Sequence, residues 1–263
     1  MNIRVLSGCK AKIVGKSCSL FTSIDSTNNY AKERADILCD GHVVVANEQL
    51  SGRGRQGKSF YSPENGGLYM SIVVKDKKAV NDSLFTVKAC IAVCRAVDRM
   101  CNLSEDDGVG IKWVNDIYYG GKKLCGILCE KFKDASDNDC VVAGFGINLK
   151  IDNSALPQEL RKIVTSLYDI FRKKHEPLTL CGYICEEVEK LIYDGTLSDE
   201  KVLAEYKKRS VVIGKEISIV TEGEEQVRAA AIDICPDGAL LVHTEDGETK
   251  KLCGGEISIK LKK

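Results

Sequence analysis

A loop rich in glycine and basic residues is the first part of the chain whose residue types could do chemistry. Residues 52–59 read GRGRQGKS and follow a short apolar run, HVVVAN, at 42–47. The loop satisfies both G-x-G-x-x-G and G-x-x-x-x-G-K-[ST], glycine patterns that bind phosphates where a helix begins. The residues that follow, FYSPENGG, contain a proline and two glycines, which exclude a helix there. We therefore reject a P-loop kinase or NTPase and interpret residues 52–59 as an irregular loop.

The two arginines of this loop indicate a different chemistry. Arg53 and Arg55 each follow a glycine, and a guanidinium group binds carboxylate or phosphate oxygens through planar, paired donors. A loop of this kind suits a site that closes over an acyl phosphate. On local sequence alone, a plain solvated basic loop is the alternative.

Further polar residues occur in the segments 24–33 (IDSTNNYAKE) and 112–130 (KWVNDIYYGGKKLCGILCE). Lys123 follows the Gly-Gly turn at 120–121 and could be a catalytic cation or a solvated hairpin lysine. Asp116 could bind Mg²⁺ beside a triphosphate, or Asn-Asp could simply form a turn before a strand. Ser26 or Thr27 could cap a helix, and the other hydroxyl could then bind a ligand.

Hydrophobic periodicity predicts the elements that position these residues. Apolar runs at 42–47, 68–75, 110–113, 123–130 and 140–149 indicate strands of one sheet. An amphipathic helix is predicted where apolar residues recur at steps of three and four, at Leu84, Val87, Ile91, Cys94, Val97 and Cys101. Segments around 158–173, 178–193 and 198–208 also look helical. The pattern predicts an α+β domain with a mixed sheet and flanking helices over residues 1–208.

The pattern changes near residue 211, where short β-runs alternate with turns such as PDG and EDG. Five or so strands at this spacing predict a small barrel. We therefore place a domain boundary near residue 209 and expect an SH3-like barrel over residues 209–263.

Composition excludes several classes of function. Lysine plus arginine (38) equal aspartate plus glutamate (38), so no overall charge attracts nucleic acid or anionic lipid. Apolar stretches are shorter than the roughly 20 residues of a membrane span, and the start has no signal-peptide pattern. Thirteen cysteines without C-x-x-C spacing, and only three histidines, indicate buried thiols in a reducing, cytoplasmic setting. We expect neither nucleic acid nor membrane as a partner.

Four segments in order resemble the biotin–protein ligase family from residue 24 to the C-terminus. They are IDSTNNYAKE (24–33), ANEQLSGRGRQGKSFYSPENGGLYMS (46–71), KWVNDIYYGGKKLCGILCE (112–130) and GFGINL (144–149), and GALLVHTEDGE with GGEIS (238–258) is similar to the C-terminal barrel. Phe60 stands where the family usually has tryptophan, Val114 where it has proline, and Lys58 where arginine is common. The resemblance implies a catalytic domain like those of class II aminoacyl-tRNA synthetases.

The resemblance also implies a reaction: ATP-dependent biotinylation of a lysine on a biotin carboxyl carrier domain, through biotinyl-5′-AMP, with Mg²⁺. Lys123 and Arg55 would be catalytic. Biotin would contact Ser26, Thr27, Asn28, Gln49, Gly52, Arg53, Gly54, Arg55, Lys123 and Gly126. The nucleotide would contact Arg55, Lys58, Phe60, Lys112, Asn115, Asp116 and Asn148, and Asp116 would be the Mg²⁺ ligand.

Two alternatives accompany this interpretation. A lipoate or octanoate ligase would share the fold and the adenylation chemistry, although GRGRxG and KW-x-ND…K-x-x-G-I-L favour biotin. A binding protein without catalysis would keep the biotin residues but lack a working ATP site. The sequence ahead of residue 24 is shorter than a winged helix, so we expect a monofunctional ligase without DNA-binding activity.

Overall fold

Two β-sheets, one large and one small, organise the chain. The computed structural model describes residues 2–4, 6, 8–104, 106–152, 154–220 and 227–259. Over these residues the large sheet has eight strands and the small sheet has five. The large sheet and its helices precede the small sheet in the chain, as the change of pattern near residue 211 indicates.

The large sheet is mixed, as predicted. Its strand order is β1-β2-β3-β4-β8-β7-β6-β5, in which β2 and β3 are parallel and the other neighbours are antiparallel. The strands are β1 Asn2–Arg4, β2 Cys18–Phe21, β3 Val43–Ala46, β4 Gly67–Val74, β5 Gly110–Lys112, β6 Asp116–Tyr119, β7 Lys122–Lys133 and β8 Asp139–Asn148.

Within the described ranges, six α-helices accompany this sheet: α1 Thr27–Glu33, α2 Lys77–Val80, α3 Phe85–Cys101, α4 Leu167–Phe171, α5 Pro177–Val188 and α6 Asp199–Arg209. A π-helical turn, Glu189–Tyr193, continues α5. The amphipathic pattern predicted α3 correctly, and Val87, Ile91, Cys94 and Val97 on it are buried. Among the described residues, no helix is long and apolar enough to cross a membrane.

Helices cover both faces of the large sheet. Because successive side chains of a strand point to opposite faces, Val43 and Val45 of β3 join the main core with the helix α3, while Val44 joins a smaller cluster with Ala31 of α1. Ser71 of β4 pairs with Val44 in the sheet, so its side chain lies on the α1 face. That face carries the polar site described below.

The helix expected around 158–173 is wrong over its first part. Helix α4 is confined to Leu167–Phe171. Residues 158–163 form turns, and residues 163–165 pair with β7 instead. Lys123 N donates to Ile163 O at 2.8 Å, and Thr165 N donates to Lys123 O at 2.9 Å. Backbone groups used in this pairing are unavailable for helical hydrogen bonds. The helices expected at 178–193 and 198–208 match α5 with its π-helical turn and α6.

The small C-terminal sheet consists of β9 Glu216–Val220, β10 Val227–Ile234, β11 Leu240–Thr244, β12 Thr249–Leu252 and β13 Glu256–Ile259. It is antiparallel, with the order β12-β11-β10-β9-β13. The predicted fold class is confirmed, although in the described residues no pairing joins β12 to β13 and the five strands therefore do not form a closed barrel. Trp113 Nε1, between β5 and β6, donates to Gly238 O at 3.0 Å and connects the turn before β11 to the large sheet. The boundary near residue 209 stays a prediction.

Candidate active site

The site lies at one edge of the large sheet because of the strand directions. The parallel strands β2 and β3 end side by side there, and the chain after them continues as a bridge between Ile24 and Gln49. Antiparallel pairing brings the start of β4, the end of β8 and the start of β7 to the same edge, through Gly67↔Asn148 and Cys125↔Ile147. Segments that are distant in sequence therefore meet at this edge.

A pocket at this edge contains every sequence-predicted site residue except Gly52 and Asn148. It is lined by Ser26, Thr27, Asn28, Gln49, Arg53, Gly54, Arg55, Gln56, Lys58, Ser59, Phe60, Lys112, Trp113, Asn115, Asp116, Lys123, Gly126, Ile127, Leu128, Gly144, Phe145, Gly146, Gly255 and Ile257. Gly255 directly precedes β13 and Ile257 lies in it, so both parts of the chain form the wall. The individual roles of these residues stay predictions.

One half of the pocket is a buried network of uncharged polar groups. Thr27 N and Thr27 Oγ1 lie 2.9 and 3.0 Å from Gln49 Oε1, and Gln49 Nε2 donates to Ser62 Oγ. Ser71 Oγ lies 2.8 Å from Thr27 Oγ1 and 2.6 Å from Asn28 Oδ1. Such a network holds its amide and hydroxyl groups in fixed orientations.

Ser26 is the N-cap of α1. Its extended backbone and its Oγ, which accepts a hydrogen bond from Asn29 N at 3.4 Å, define the start of the helix at Thr27. Of the two hydroxyls that the sequence offered as caps, Ser26 therefore takes this role, and Thr27 lies in the polar network. Ser26 also lines the pocket. Its Oγ accepts a hydrogen bond as the cap, and its hydroxyl hydrogen can still be donated to another partner.

Three strand glycines form a floor without side chains. Gly126 and Gly146 pair across β7 and β8, and a Cβ on Gly146 would lie 2.5 Å from Phe60 Cε1. A Cβ on Gly144 would lie 2.1 Å from Asn28 Oδ1. The aromatic ring of Phe60 and the amide of Asn28 can therefore approach the sheet backbone only because these positions are glycine.

The other half of the pocket is charged. Lys123 Nζ lies 2.7 Å from Asp116 Oδ1 and 6.0 Å from the ring centroid of Phe60. Arg55 Nη1 donates to Asn115 Oδ1 at 3.3 Å. Asn115 Nδ2 in turn donates to Ile127 O on β7, so the Asn115 side chain is held to the sheet and orients Arg55.

The glycine-rich loop forms a tight hairpin over the pocket. Gly54 N donates to Lys58 O at 2.7 Å, and Phe60 N donates to Gly52 O at 2.8 Å. A Cβ on Gly52 would lie 2.4 Å from Phe60 O, so Gly52 contributes through its backbone and does not line the pocket. Residues 58–66 contain no helix, which agrees with the rejection of a P-loop.

Asn148 is buried at the end of β8, away from the pocket wall. Its Nδ2 donates to Thr165 O at 3.0 Å, and Thr165 N donates to Lys123 O. The amide therefore holds the segment that pairs with the backbone of Lys123. A contact between Asn148 and a nucleotide stays a prediction.

Several residues of the site escaped the sequence analysis: Ser62, Ser71, Glu130, Gly144 and Gly146. Their signals were a serine inside the apolar strand LYMSIVV, an acidic residue at the end of KLCGILCE and the glycines of GFGINL. Burial alone would raise the pKa of Glu130. Hydrogen bonds from Lys32 and Asn28 and the charges of Lys32 and Arg53 outweigh burial and lower this pKa, so Glu130 is ionised at neutral pH.

The polar and charged side chains of the pocket do not form a metal site by themselves. In the described part of the chain, no three His, Cys, Asp or Glu side chains converge to hold a metal ion. Asp116 is the one carboxylate among the described pocket residues, and it is paired with Lys123. A Mg²⁺ ion that arrives with phosphates needs only one or two protein carboxylates, so Asp116 fits such an ion as a single ligand.

Comparisons with known proteins agree with this geometry. Residues 20–148 match the model of the biotin/lipoate A/B protein ligase family, and residues 212–260 match that of the biotin protein ligase C terminal domain. The chain is 29% identical over 256 residues to the bifunctional ligase/repressor BirA of Bacillus spizizenii, which covers 96% of this chain and 77% of that protein. It is 28% identical over 229 residues to the biotin–[acetyl-CoA-carboxylase] ligase of Mycobacterium tuberculosis, with 86% and 81% covered.

A solved structure gives the same result. The biotin protein ligase from Aquifex aeolicus in complex with biotin and ATP superimposes with a TM-score of 0.78 at 25% identity, covering 92% of this chain and 98% of that chain. With this fold and this pocket, the chain belongs to the biotin/lipoate A/B protein ligase family. Its C-terminal sheet places it, within that family, with the biotin protein ligases.

Proposed function

We propose that this protein attaches biotin to a lysine of a biotin carboxyl carrier domain, in two ATP-dependent steps through biotinyl-5′-AMP. The observation that carries the proposal is the direction of the hydrogen bonds in the polar half of the pocket. Related proteins support the reaction class, since one of them was solved with biotin and ATP and another is named as a biotin–[acetyl-CoA-carboxylase] ligase.

The orientation of Asn28 follows from its partners. Asn28 Nδ2 donates to Leu128 O at 3.2 Å and to Glu130 Oε2 at 2.8 Å, and a carbonyl and a carboxylate can only accept. Asn28 Oδ1 therefore faces Ser71, whose hydroxyl hydrogen must point to this oxygen at 2.6 Å. Asn28 therefore presents its Oδ1 to the pocket as a hydrogen-bond acceptor.

The orientation of Thr27 follows in the same way. Thr27 N can only donate, so the Gln49 atom 2.9 Å away is the amide oxygen. Because Ser71 has already donated its hydrogen, the hydroxyl of Thr27 donates either to Ser71 Oγ or to Gln49 Oε1. In both cases Thr27 presents a lone pair to the pocket, while among the described residues no hydrogen bond uses the hydroxyl hydrogen of Ser26.

A donor at Ser26 beside acceptors at Thr27 and Asn28 complements a cyclic urea, which has one carbonyl and two N–H groups. Biotin carries this group, whereas the dithiolane ring of lipoate and the alkyl end of octanoate have no polar hydrogen to give. A site that hydrogen-bonds its substrate rejects an analogue without those groups by about 10⁴-fold. This argument favours biotin over the lipoate or octanoate alternative.

The charged half of the pocket suits the first step. A biotin carboxylate oxygen attacks the α-phosphorus of ATP, and the bond between that phosphorus and the pyrophosphate oxygen breaks. Lys123 and Arg55, with Lys58 and Lys112, would stabilise the negative charge on the phosphate oxygens. Magnesium would enter with the triphosphate and neutralise part of its charge, with Asp116 as its protein ligand.

In the second step a neutral lysine amine of the carrier domain attacks the carbonyl carbon of the mixed anhydride. The bond to AMP breaks, an amide forms, and the amine proton passes to solvent. The hairpin of the glycine-rich loop would exclude water from the anhydride until the carrier lysine arrives. All thirteen cysteines are free thiols, which supports a reducing compartment such as the cytoplasm.

One assay tests the function. The protein is incubated with MgATP and biotin, lipoate or octanoate, and acyl-adenylate is followed by mass spectrometry together with pyrophosphate release. We expect adenylate from biotin alone, and we expect Thr27→Val to weaken biotin use by about tenfold or more through the lost acceptor. Adenylate from lipoate or octanoate in preference to biotin would contradict the proposal, and biotin binding without pyrophosphate release would favour the non-catalytic alternative.

A further inference from the structure

The carboxylate of Glu130, on β7 behind the polar half of the pocket, joins two parts of α1. Its Oε2 accepts a hydrogen bond from Asn28 Nδ2 at 2.8 Å, and its Oε1 accepts one from Lys32 Nζ at 2.7 Å. Asn28 and Lys32 are four residues apart on α1 and therefore lie on the same face of the helix. Glu130 thus fixes both the position of α1 and the orientation of an amide that faces the pocket.

The same carboxylate also meets the glycine-rich loop. Arg53 Nη1 lies 4.0 Å from Glu130 Oε1 and donates to Asn29 Oδ1 at 2.9 Å. Arg53 is the first arginine of the loop hairpin and pairs with Ser59 across it. The beginning of the loop is therefore held to the helix residue next to Asn28 and lies within ion-pair distance of the carboxylate that orients Asn28.

We propose that Glu130 is a positioning residue that couples the biotin pocket to the closing of the glycine-rich loop. This inference rests on the proposed function for the identity of the ligand. Glu130 holds Asn28 with its oxygen toward the ureido N–H groups, and through Arg53 it holds the start of the loop over the same ligand. Glu130 itself does not line the pocket and acts through these two residues.

Loss of the charge at Glu130 has two physical consequences. Without the carboxylate, the longer hydrogen bond to Leu128 O alone opposes rotation of the Asn28 amide. A rotated amide would present an N–H group to the ureido N–H groups, where two donors would oppose each other. Arg53 loses the negative charge beside it and keeps only its bond to Asn29, so the loop should open more often. A residue that only held α1 in place could lower ligand affinity, but its effect would be independent of Arg53 in a double-mutant cycle.

The test compares Glu130→Gln with Lys131→Gln. Lys131 is the next residue of β7, is exposed and pairs with Asp139 at 3.2 Å, outside the pocket. Biotin affinity is measured by calorimetry without ATP, and opening of residues 52–58 is measured by hydrogen–deuterium exchange. We expect Glu130→Gln to raise the biotin Kd about tenfold to a hundredfold, as for a hydrogen bond to a charged group. We also expect it to speed exchange in the loop, while Lys131→Gln changes neither.

A double-mutant cycle with Arg53→Gln tests the coupling itself. If Glu130 and Arg53 act together, the two substitutions should raise the biotin Kd by less in combination than the product of their separate effects. Should Glu130→Gln fail to fold, Asn29→Ala replaces it, because this substitution removes the helix partner of Arg53 and leaves Glu130 in place. Asn29→Ala should also speed exchange of residues 52–58.

The outcomes separate this inference from the proposed function. Unchanged loop exchange in Glu130→Gln, or strictly independent effects in the double-mutant cycle, overturns the coupling even if biotin binding falls. If the unmodified protein does not bind biotin, the proposed function fails. Loop exchange in the ligand-free variants still tests the contact between Glu130 and Arg53.

Discussion

Lys123 Nζ and Asp116 Oδ1 lie 2.7 Å apart, which makes Asp116 the counter-ion of the proposed catalytic cation. The two residues face each other from neighbouring strands, β7 and β6, near a register shift after Ile117. Binding of a phosphate beside Lys123 would compete with this ion pair. A magnesium ion on the triphosphate would then compensate Asp116, so the pair keeps both charges matched before and after substrate binds.

The first prediction concerns this cation. Lys123→Ala should lower the rate of biotinyl-AMP formation by about 100-fold or more, because the amine stabilises charge that develops in the transition state. Pyrophosphate release under single-turnover conditions measures the effect. Lys122→Ala, at the exposed neighbouring position, is the control and should be nearly silent. An unchanged rate in Lys123→Ala would remove the residue from the catalytic site.

The second prediction concerns the floor of the pocket. A Cβ on Gly144 would lie 2.1 Å from Asn28 Oδ1 and 2.8 Å from its Cγ, so Gly144→Ala must displace the Asn28 amide. We expect the biotin Kd, measured by calorimetry, to rise at least about 100-fold through the lost hydrogen bonds. Gly182→Ala is the matched control, since its nearest neighbour, Cys9 Cβ, would be 3.6 Å away. Equal biotin affinity in both variants would show that Asn28 does not contact the ligand.

The strands and the long helix could be predicted because their signals are local. Alternation and apolar runs identify β3, β4, β7 and β8, and the three-and-four spacing identifies α3. The segment before α4 could not be predicted, since its conformation depends on pairing with Lys123, a contact that no local pattern contains. The small C-terminal barrel was expected from the number and spacing of the strands, and neither determines which strand edges pair.

The candidate site shows the same limit. Residues in motifs, such as Lys123, Arg55 and Asn28, were identified because the family resemblance covers them. Ser71 and Glu130 are the last residues of two of the quoted segments but were not assigned a role, because no local pattern distinguishes a buried serine or an acidic residue within a strand. Their roles arise only when α1 lies against β4 and β7 and brings Asn28 within hydrogen-bond distance of both.

The third prediction concerns stability at acid pH. The Glu189 carboxylate accepts hydrogen bonds from the backbone of the N-terminal segment, at 2.6 Å from Ile13 N and 2.9 Å from Val14 N, and also from Lys12 N. Burial would raise the pKa of Glu189, but these backbone donors outweigh it and lower the pKa below its ordinary 4.5. A lowered pKa in the folded protein means that the stabilisation is present above pH 4.5 and is lost as the pH falls further.

Glu189→Gln should therefore lower the free energy of unfolding at pH 7 by about 2 kcal/mol, the scale of hydrogen bonds to a charged group. The difference from the unmodified protein should shrink as the pH falls below 4.5. Urea unfolding at a series of pH values measures both effects. Glu159→Gln, at an exposed position, should show neither, and a pH-independent difference for Glu189→Gln would contradict the assignment.

The last prediction concerns retention of the adenylate by the glycine-rich loop. Arg55 is directed by Asn115 toward the charged half of the pocket, and a Cβ on Gly254, between β12 and β13, would lie 3.7 Å from Arg55 Nη2. Arg55→Gly removes this phosphate-binding group and also adds backbone freedom to a loop that already contains three glycines. The variant should still form biotinyl-AMP, because Lys123 remains, but should release it early. Free adenylate would then biotinylate lysines of a bystander protein, which is detected by mass spectrometry while adenylate formation is followed in parallel. Arg172→Gly is the control, because Arg172 is exposed and its φ of 53° already suits glycine. If Arg55→Gly forms adenylate and still labels only the carrier domain, Arg55 does not retain the intermediate.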